Sequence, residues 1–325
     1  MLAEEPGLLS VIVPVYNEEE NLDVFYEGVV TVMDREKYRY EIIFVNDGST
    51  DRSAEILTSL AERNHRHCKV IHFRRNFGQT AAMMAGLDYS SGDVIVPIDA
   101  DSQNDPEDIP RLLEKLNEGY DLVSGWRKNR QDAKLTRKLP SWLANKLISR
   151  ISGVKLSDYG CTLKAYRRAI VEDIRLYGEM HRFLPIYASW AGAKTTEIPV
   201  NHKPRLVGKS KYGLERILKV PLDLMVVMFL SNYAQKPIYV FGGFGLFNHA
   251  LAALTFAVMV YLKYWGGKSF IATPLPILAA LFILMGFISM LMGLIAELTV
   301  RTYHESQDKR TYLIRATLNF ADDTK

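Results

Sequence analysis

Over roughly the first 200 residues, short apolar runs alternate with amphipathic ones. Residues 8–15, 41–46, 69–73, 93–98 and 121–125 read as strands. Several lack polar alternation, as strands covered on both faces do. Between them, 18–34, 51–64, 80–89 and 106–118 read as helices. Asp105-Pro106 marks one helix start, a cap residue followed by proline at the first helical position. This alternation predicts a mostly parallel, doubly wound α/β sheet. Ligands of such sheets bind beyond the carboxyl ends of the strands.

The last third of the chain has a different pattern. Residues 237–262 contain no Asp, Glu, Lys or Arg, and neither do residues 269–296. Each run exceeds the ~20 residues that cross a hydrocarbon core, so two transmembrane helices are expected, at about 237–262 and 273–297. Two crossings return the chain to its starting side. Arg216, Lys219, Lys236, Arg301, Lys309, Arg310 and Arg315 flank the hairpin, against Lys263 and Lys268 in its turn. The positive-inside rule then leaves the head and tail in the cytoplasm. Between head and hairpin, Leu214, Ile217, Leu218, Leu222, Met225 and Phe229 recur at helical spacing, interrupted at Pro221. They predict amphipathic helices lying in the bilayer interface or packed on the sheet. The expected division is 1–205 head, 206–235 amphipathic helices, 236–300 transmembrane helices and 301–325 cytoplasmic tail. Gly242, Gly243, Gly245, Gly286 and Gly293 would permit close helix approach, which makes a homo-oligomer an expectation.

Bulk composition changes this picture little. A net charge of +3 does not point to a nucleic-acid partner. Cys68 and Cys161, far apart and outside any C-x-x-C, fit a reducing compartment better than a disulfide framework. The start M-L-A-E-E-P-G has no basic n-region or apolar core, so no signal peptide is expected.

The chemistry gathers at the predicted strand ends. The first strand leads into Pro14-Val15-Tyr16-Asn17-Glu18, the second into Asn46-Asp47-Gly48-Ser49-Thr50-Asp51, and the fourth into Asp99-Ala100-Asp101-Ser102-Gln103. Each has a plain reading as a turn or helix cap. Three acidic strand ends on one sheet edge are also what a metal-assisted phosphate site needs. No glycine cradle of the G-x-x-x-x-G-K-[ST] or G-x-G-x-x-G kind follows the first strand. A divalent cation on Asp99, Asp101 and Gln103 could neutralise a nucleotide's phosphates instead.

V-I-V-P-V-Y-N-E-E-E-N-L (11–22), F-V-N-D-G-S-T-D (44–51), R-N-F-G-Q-T-A-A-M-M-A-G (75–86) and D-A-D-S-Q-N-D-P-E-D-I-P (99–110) together resemble family 2 glycosyltransferases of the GT-A fold. The nearest likeness is to dolichol-phosphate mannose synthase and the bacterial polyprenyl-phosphate (bactoprenol) glucosyltransferases. The resemblance covers about residues 8–220. It implies that Pro14, Tyr16, Glu18 and Asp47 line the nucleotide pocket, and that Asp99 faces the sugar diphosphate. Asp101 and Gln103 would be the firmest ligands of Mg²⁺ or Mn²⁺. It also implies a multi-pass protein of the bacterial inner (cytoplasmic) membrane. The expected reaction is inverting transfer of one sugar, glucose from UDP-glucose, to undecaprenyl phosphate, with GDP-mannose as the other donor considered.

A polyprenyl monophosphate acceptor carries an already ionised oxygen, because the second phosphate pKa is about 6. It needs cations more than a general base, whereas an alcohol would need the base. Arg127, and Arg137 with Ser141, match acceptor-phosphate positions of the mannose synthase relatives; Arg137 and Lys138 also read as a solvated helix start. R-L-V-G-K-S-K-Y (205–212) resembles the family's R-x-x-G-x-S-K-x segment. Arg205, Lys209 and Lys211 would clamp donor diphosphate or lipid phosphate, or attract anionic headgroups. Asp158 falls where the wider family carries its catalytic carboxylate. It would act as a base, or orient Arg127 or a donor hydroxyl. His181-Arg182 is a weaker candidate. Two rivals remain: a processive polysaccharide synthase, against which the lack of Q-x-x-R-W counts, and a non-catalytic membrane scaffold with a transferase-like head.

Overall fold

The computed structural model describes residues 7–128, 149, 152–172, 174, 176, 180–203, 238–306 and 312–320. The chain divides into two compact units, one of Met1–Leu224 with Arg310–Lys325 and the other of Met225–Lys309. The first is built on β1 (Leu9–Val15), β2 (Tyr40–Asn46), β3 (Cys68–Phe73), β4 (Val94–Pro97), β5 (Leu122–Trp126), β6 (Lys164–Arg167), β7 (Thr195–Pro199) and β8 (Ile314–Leu318). The helices α1 (Leu22–Arg35), α2 (Ser53–Arg63), α3 (Gln79–Tyr89), α4 (Ile109–Asn117) and α5 (Leu184–Trp190) accompany them.

The eight strands form one sheet in the order β7-β5-β6-β4-β1-β2-β3-β8. β4, β1, β2 and β3 run parallel, as do β5 and β7, while β6 and β8 are antiparallel to their neighbours. Because strand side chains alternate between faces, each central strand feeds two cores. Leu9, Val11, Val13 and Val15 of β1 join Phe25, Val29, Leu112 and Leu116 of α1 and α4 on one face. Ile12 of β1, Ile43 and Val45 of β2, and Ile71 and Phe73 of β3 meet Ala82, Met83 and Met84 of α3 on the other. Burial on both faces explains why these strands read as unbroken apolar runs.

The fold is the mostly parallel α/β sheet that the alternation predicts, and the five expected strands are present within a residue or two. α1 starts at Leu22 rather than residue 18, because residues 17–21 form a loop fastened to residues 49–53. β6, β7 and β8 were not expected. They are short and carry polar residues, and only pairing to a distant strand makes them strands. The tail expected at 301–325 therefore contains a strand of the head's own sheet.

The second unit is a pair of helices, α6 (Ile238–Tyr264) and α7 (Leu275–Ser306). Val240–Tyr264 and Leu275–Ala296 are long and apolar enough to cross a membrane, and most of their surface is exposed rather than buried as in a soluble core helix. Glycine does let the two helices approach. A Cβ on Gly245 would run into the Gly286 carbonyl, and one on Gly286 into the His249 ring. His249 itself bonds the Gly245 carbonyl through Nδ1 at 2.8 Å and meets Phe287 edge-on. Two of the glycines considered for an oligomer thus serve contact within the pair. The amphipathic helices expected at 206–235 lie outside the described residues.

Candidate active site

β1 sits where the chain order reverses, with β2 and β3 laid down on one side and β4 on the other. The crevice of a doubly wound sheet opens at that point, beyond the carboxyl ends. The loops after β1, β2 and β4 reach this edge, as does Arg127 after β5. β6 and β8 run the other way, so their first residues lie there too.

The first two loops hold each other. Asn17, at φ +53°, donates its N–H to Ser49 Oγ (3.0 Å) and accepts the Thr50 N–H at Oδ1 (2.8 Å). The Glu18 N–H donates to Ser53 Oγ (3.0 Å), and the Glu18 carboxylate accepts from Asn21 Nδ2 (2.8 Å). Pro14, Tyr16 and Glu18 are each half-buried along this rim. Asp47 is 3% exposed, and its two oxygens accept the N–H groups of Phe77 (2.6 Å) and Gly78 (2.9 Å). Its carboxylate thus pins the loop after β3. Burial raises its pKa, against the pull of those two N–H groups.

Gly48 makes this crossing possible. Its φ is +65°, and a Cβ there would collide with the backbone of Arg75 and Asn76. Gly48→Ala is expected to cost more than the ~1 kcal/mol of a left-handed alanine, because the loop cannot retreat without losing Asp47. A fall in denaturant midpoint together with weakened nucleotide binding would be the observed pair.

After β4, Asp99 Oδ1 accepts from Gln79 Nε2 (3.0 Å) and Oδ2 from Thr162 Oγ1 (2.5 Å). Asp101 follows in a tight turn with Ser102 at φ +57°, its Oδ1 accepting the Gln103 N–H at 3.1 Å. The Gln103 carbonyl accepts from the Lys203 N–H (2.9 Å). Asp105 caps the next turn at the Glu107 N–H and pairs with Lys203 Nζ at 2.9 Å. Burial, then the charge of Asp101, push the Asp99 carboxyl up to about 6. A buried carboxylate beside a second negative charge is the condition a bound cation relieves, and hard divalent ions take such oxygens. Among the described residues no three His, Cys, Asp or Glu side chains converge. What this turn does bring together is the carboxylates of Asp99 and Asp101, with Gln103 tied to Asp101 through its backbone N–H.

Arg127 and Asp158 face each other across the same edge. Nε donates to Oδ2 at 2.7 Å and an Nη to Oδ1 at 3.0 Å, a bidentate pair with side chains 12% and 9% exposed. Asp158 Oδ1 also accepts the Gly160 N–H at 3.0 Å. Burial works to lower the Arg127 pKa, but hydrogen bonds and charge from Asp158 outweigh it and the net direction is up. Arg137, Ser141, Arg205, Lys209 and Lys211 lie outside the described residues. His181 does reach the area, where Nδ1 and Thr80 Oγ1 are 2.6 Å apart.

Three further side chains belong to this edge. Gln79 and Thr162 hold Asp99. Lys164, 3% exposed, directs its ammonium to the Cys161 and Tyr159 carbonyls and so fixes the turn that carries Asp158 and Thr162. Gln79 stands inside the quoted R-N-F-G-Q-T stretch, which is the one sequence signal for it. Thr162 and Lys164 become visible only once β6 is known to return against β4.

The model of the family described as "Glycosyl transferase family 2" matches residues 10–175. The dodecaprenyl-phosphate galacturonate synthase of Rhizobium johnstonii is 40% identical over 94% of this chain and 92% of its own. The undecaprenyl-phosphate 4-deoxy-4-formamido-L-arabinose transferase of Edwardsiella ictaluri is 38% identical over 94% of this chain and 93% of its own. Among solved structures, glucosyl-3-phosphoglycerate synthase from Mycobacterium tuberculosis, bound to Mn²⁺, UDP and glucosyl-3-phosphoglycerate, aligns with a TM-score of 0.51. It is 20% identical, over 69% of this chain and 79% of that one. Mannosyl-3-phosphoglycerate synthase from Rubrobacter xylanophilus aligns at 0.52, with 14% identity over 70% and 74%. These two show the likeness of fold.

Proposed function

Because this chain belongs to glycosyl transferase family 2, we propose that it moves one sugar from a nucleoside diphosphate donor to a polyprenyl phosphate. The observation that carries the acceptor is the bidentate Arg127–Asp158 pair. A carboxylate bound to a guanidinium and a backbone N–H is a poor proton acceptor. A phosphate nucleophile, already ionised, asks for none. In this reading Asp158 is a positioning residue that aims Arg127, and the spare guanidinium face meets the acceptor phosphate. Direct attack in line with the departing diphosphate inverts the anomeric centre. Polyprenyl-phosphate carriers also stand in the names of both full-length relatives.

Asp101, Asp99 and Gln103 would hold Mg²⁺ or Mn²⁺, which supplies charge to stabilise the leaving nucleoside diphosphate. The fold neighbour's Mn²⁺ and UDP support this assignment and a uridine donor. Pro14, Tyr16, Glu18 and the loop that Asp47 pins would form the nucleotide wall. Arg205 and Lys211 are retained as donor-phosphate candidates, and Arg137 with Ser141 as acceptor candidates. The relatives' names move the expected sugar from plain glucose toward galacturonate or 4-formamido-arabinose.

The two apolar helices would anchor the enzyme as a hairpin, with head and tail on the cytoplasmic side. Tyr261, Tyr264 and Trp265 are exposed at the end of α6, beside Lys263, as at a membrane–water interface.

The test is transfer of radiolabelled sugar to undecaprenyl phosphate in detergent. UDP-galacturonate, UDP-4-deoxy-4-formamido-arabinose, UDP-glucose and GDP-mannose are run separately, with Mn²⁺, Mg²⁺ or EDTA. One donor should label a lipid-sized product, and EDTA should abolish the labelling. A long polymer would favour a processive synthase. Nucleotide binding without any product would favour the scaffold.

A further inference from the structure

The C-terminal segment enters the sheet at the edge that carries the site. β8 pairs antiparallel with β3, and its first residue, Ile314, stands opposite Phe73, the last residue of β3. Just ahead of it, Tyr312 is 3% exposed, with its ring stacked on Phe73 at 5.2 Å and its hydroxyl donating to Asp88 at 2.7 Å. Arg74, the next residue of the β3 strand end, donates its N–H to the Leu313 carbonyl (3.0 Å) and Nε to the Ile314 carbonyl (3.3 Å). Beyond β8, Asn319 donates to the carbonyls of Ala61 and Cys68, and Phe320 meets Tyr89.

The same strand end begins the loop on which the site depends. Phe73 meets Phe77 edge-to-face at 5.7 Å, and the N–H groups of Phe77 and Gly78 fill the Asp47 carboxylate. One residue further, Gln79 holds Asp99. An unbroken series of contacts thus runs from Tyr312 through Phe73 and Phe77 to Asp47, with Gln79 continuing it to Asp99. Phe73 also lies at a register irregularity of the β3–β8 ladder, where strand pairing alone positions it least.

We infer that Tyr312, with the strand that follows it, is a positioning element of the donor site, setting the 74–79 loop that holds Asp47 and Asp99. The inference rests on the donor site proposed above. Its consequence is that a residue beyond the membrane helices governs donor affinity without touching donor.

The test uses the full chain in detergent with Tyr312→Ala, Tyr312→Leu and Tyr312→Phe. Val29→Ala, buried in the opposite core layer, serves as the control for plain loss of stability. Removing the ring is expected to raise the donor KM ~5-fold or more and leave the acceptor KM within ~2-fold. Tyr312→Phe, which keeps the ring and loses only the hydroxyl, should stay near wild type. Tyr312→Leu keeps apolar volume and stands in if Tyr312→Ala does not fold. A donor KM unmoved by either variant, or moved equally by Val29→Ala, would overturn the inference. Amide exchange at Phe77 and Gly78 needs no turnover, so it separates this inference from the proposed reaction. It should quicken ~10-fold in Tyr312→Ala and not in Val29→Ala. Unchanged exchange sinks the inference even if transfer is confirmed. Quickened exchange with no transfer from any donor sinks the reaction and leaves the coupling standing.

Discussion

Transfer by Asp101→Ala is expected to fall roughly 10²–10³-fold, the usual scale for losing one electrostatic contact to a departing charge. Asp99 cannot take over. Its two oxygens already accept from Gln79 and Thr162. Removing Asp101 also removes the acceptor of the Gln103 N–H, so the turn at Ser102 loses its fastening. Asp101→Asn separates the two effects, since the amide oxygen can still accept that N–H while the charge is gone. Both variants should lose Mn²⁺-dependent UDP binding in calorimetry, with thermal unfolding of Asp101→Asn close to wild type. Binding of UDP that stays as tight and as metal-dependent as in wild type would remove Asp101 from the metal site.

The second large effect concerns the buried ion pair. Arg127→Met should destabilise the head by about 3–5 kcal/mol, because it leaves Asp158 charged and largely dehydrated. Lys164 does not replace the lost partner while its ammonium serves the Cys161 and Tyr159 carbonyls. The double variant Arg127→Met/Asp158→Leu removes both charges and should recover most of that stability. Its transferase activity should stay lost, since the guanidinium assigned to the acceptor phosphate is still missing. Denaturant midpoints and initial rates on the same preparations decide the matter. A double variant that recovers both stability and activity would make the pair purely structural.

What the sequence alone disclosed follows from how local each signal is. The ends of β1, β2 and β4 were legible because an unbroken apolar run stops at Asn17-Glu18, Asp47-Gly48 or Asp99-Ala100-Asp101, and no partner is needed to see it. α4 was legible from Asp105-Pro106. β6 and β8 were not, because K-A-Y-R and I-R-A-T-L become strands only through β4, β5 and β3, which lie far away in sequence. For the same reason Thr162 and Lys164 were missed. Asp158 was found, but its engagement with Arg127 was visible only as one alternative among several. Asp47 is legible as a candidate at the nucleotide pocket, but not the hold its oxygens take on Phe77 and Gly78, a contact across thirty residues.

The position of β8 also sets a timetable. β3 is an early strand, yet its outer edge is completed by β8, which follows it in the chain only after both apolar helices. At about 5–20 residues per second, that edge waits on the order of 10–50 s with its N–H and C=O groups uncovered. Both apolar helices leave the ribosome during that interval. The head therefore cannot finish its sheet until the hairpin has been synthesised. A chain that stops short of Tyr312 would keep an open β edge, marking an incomplete copy for aggregation or removal.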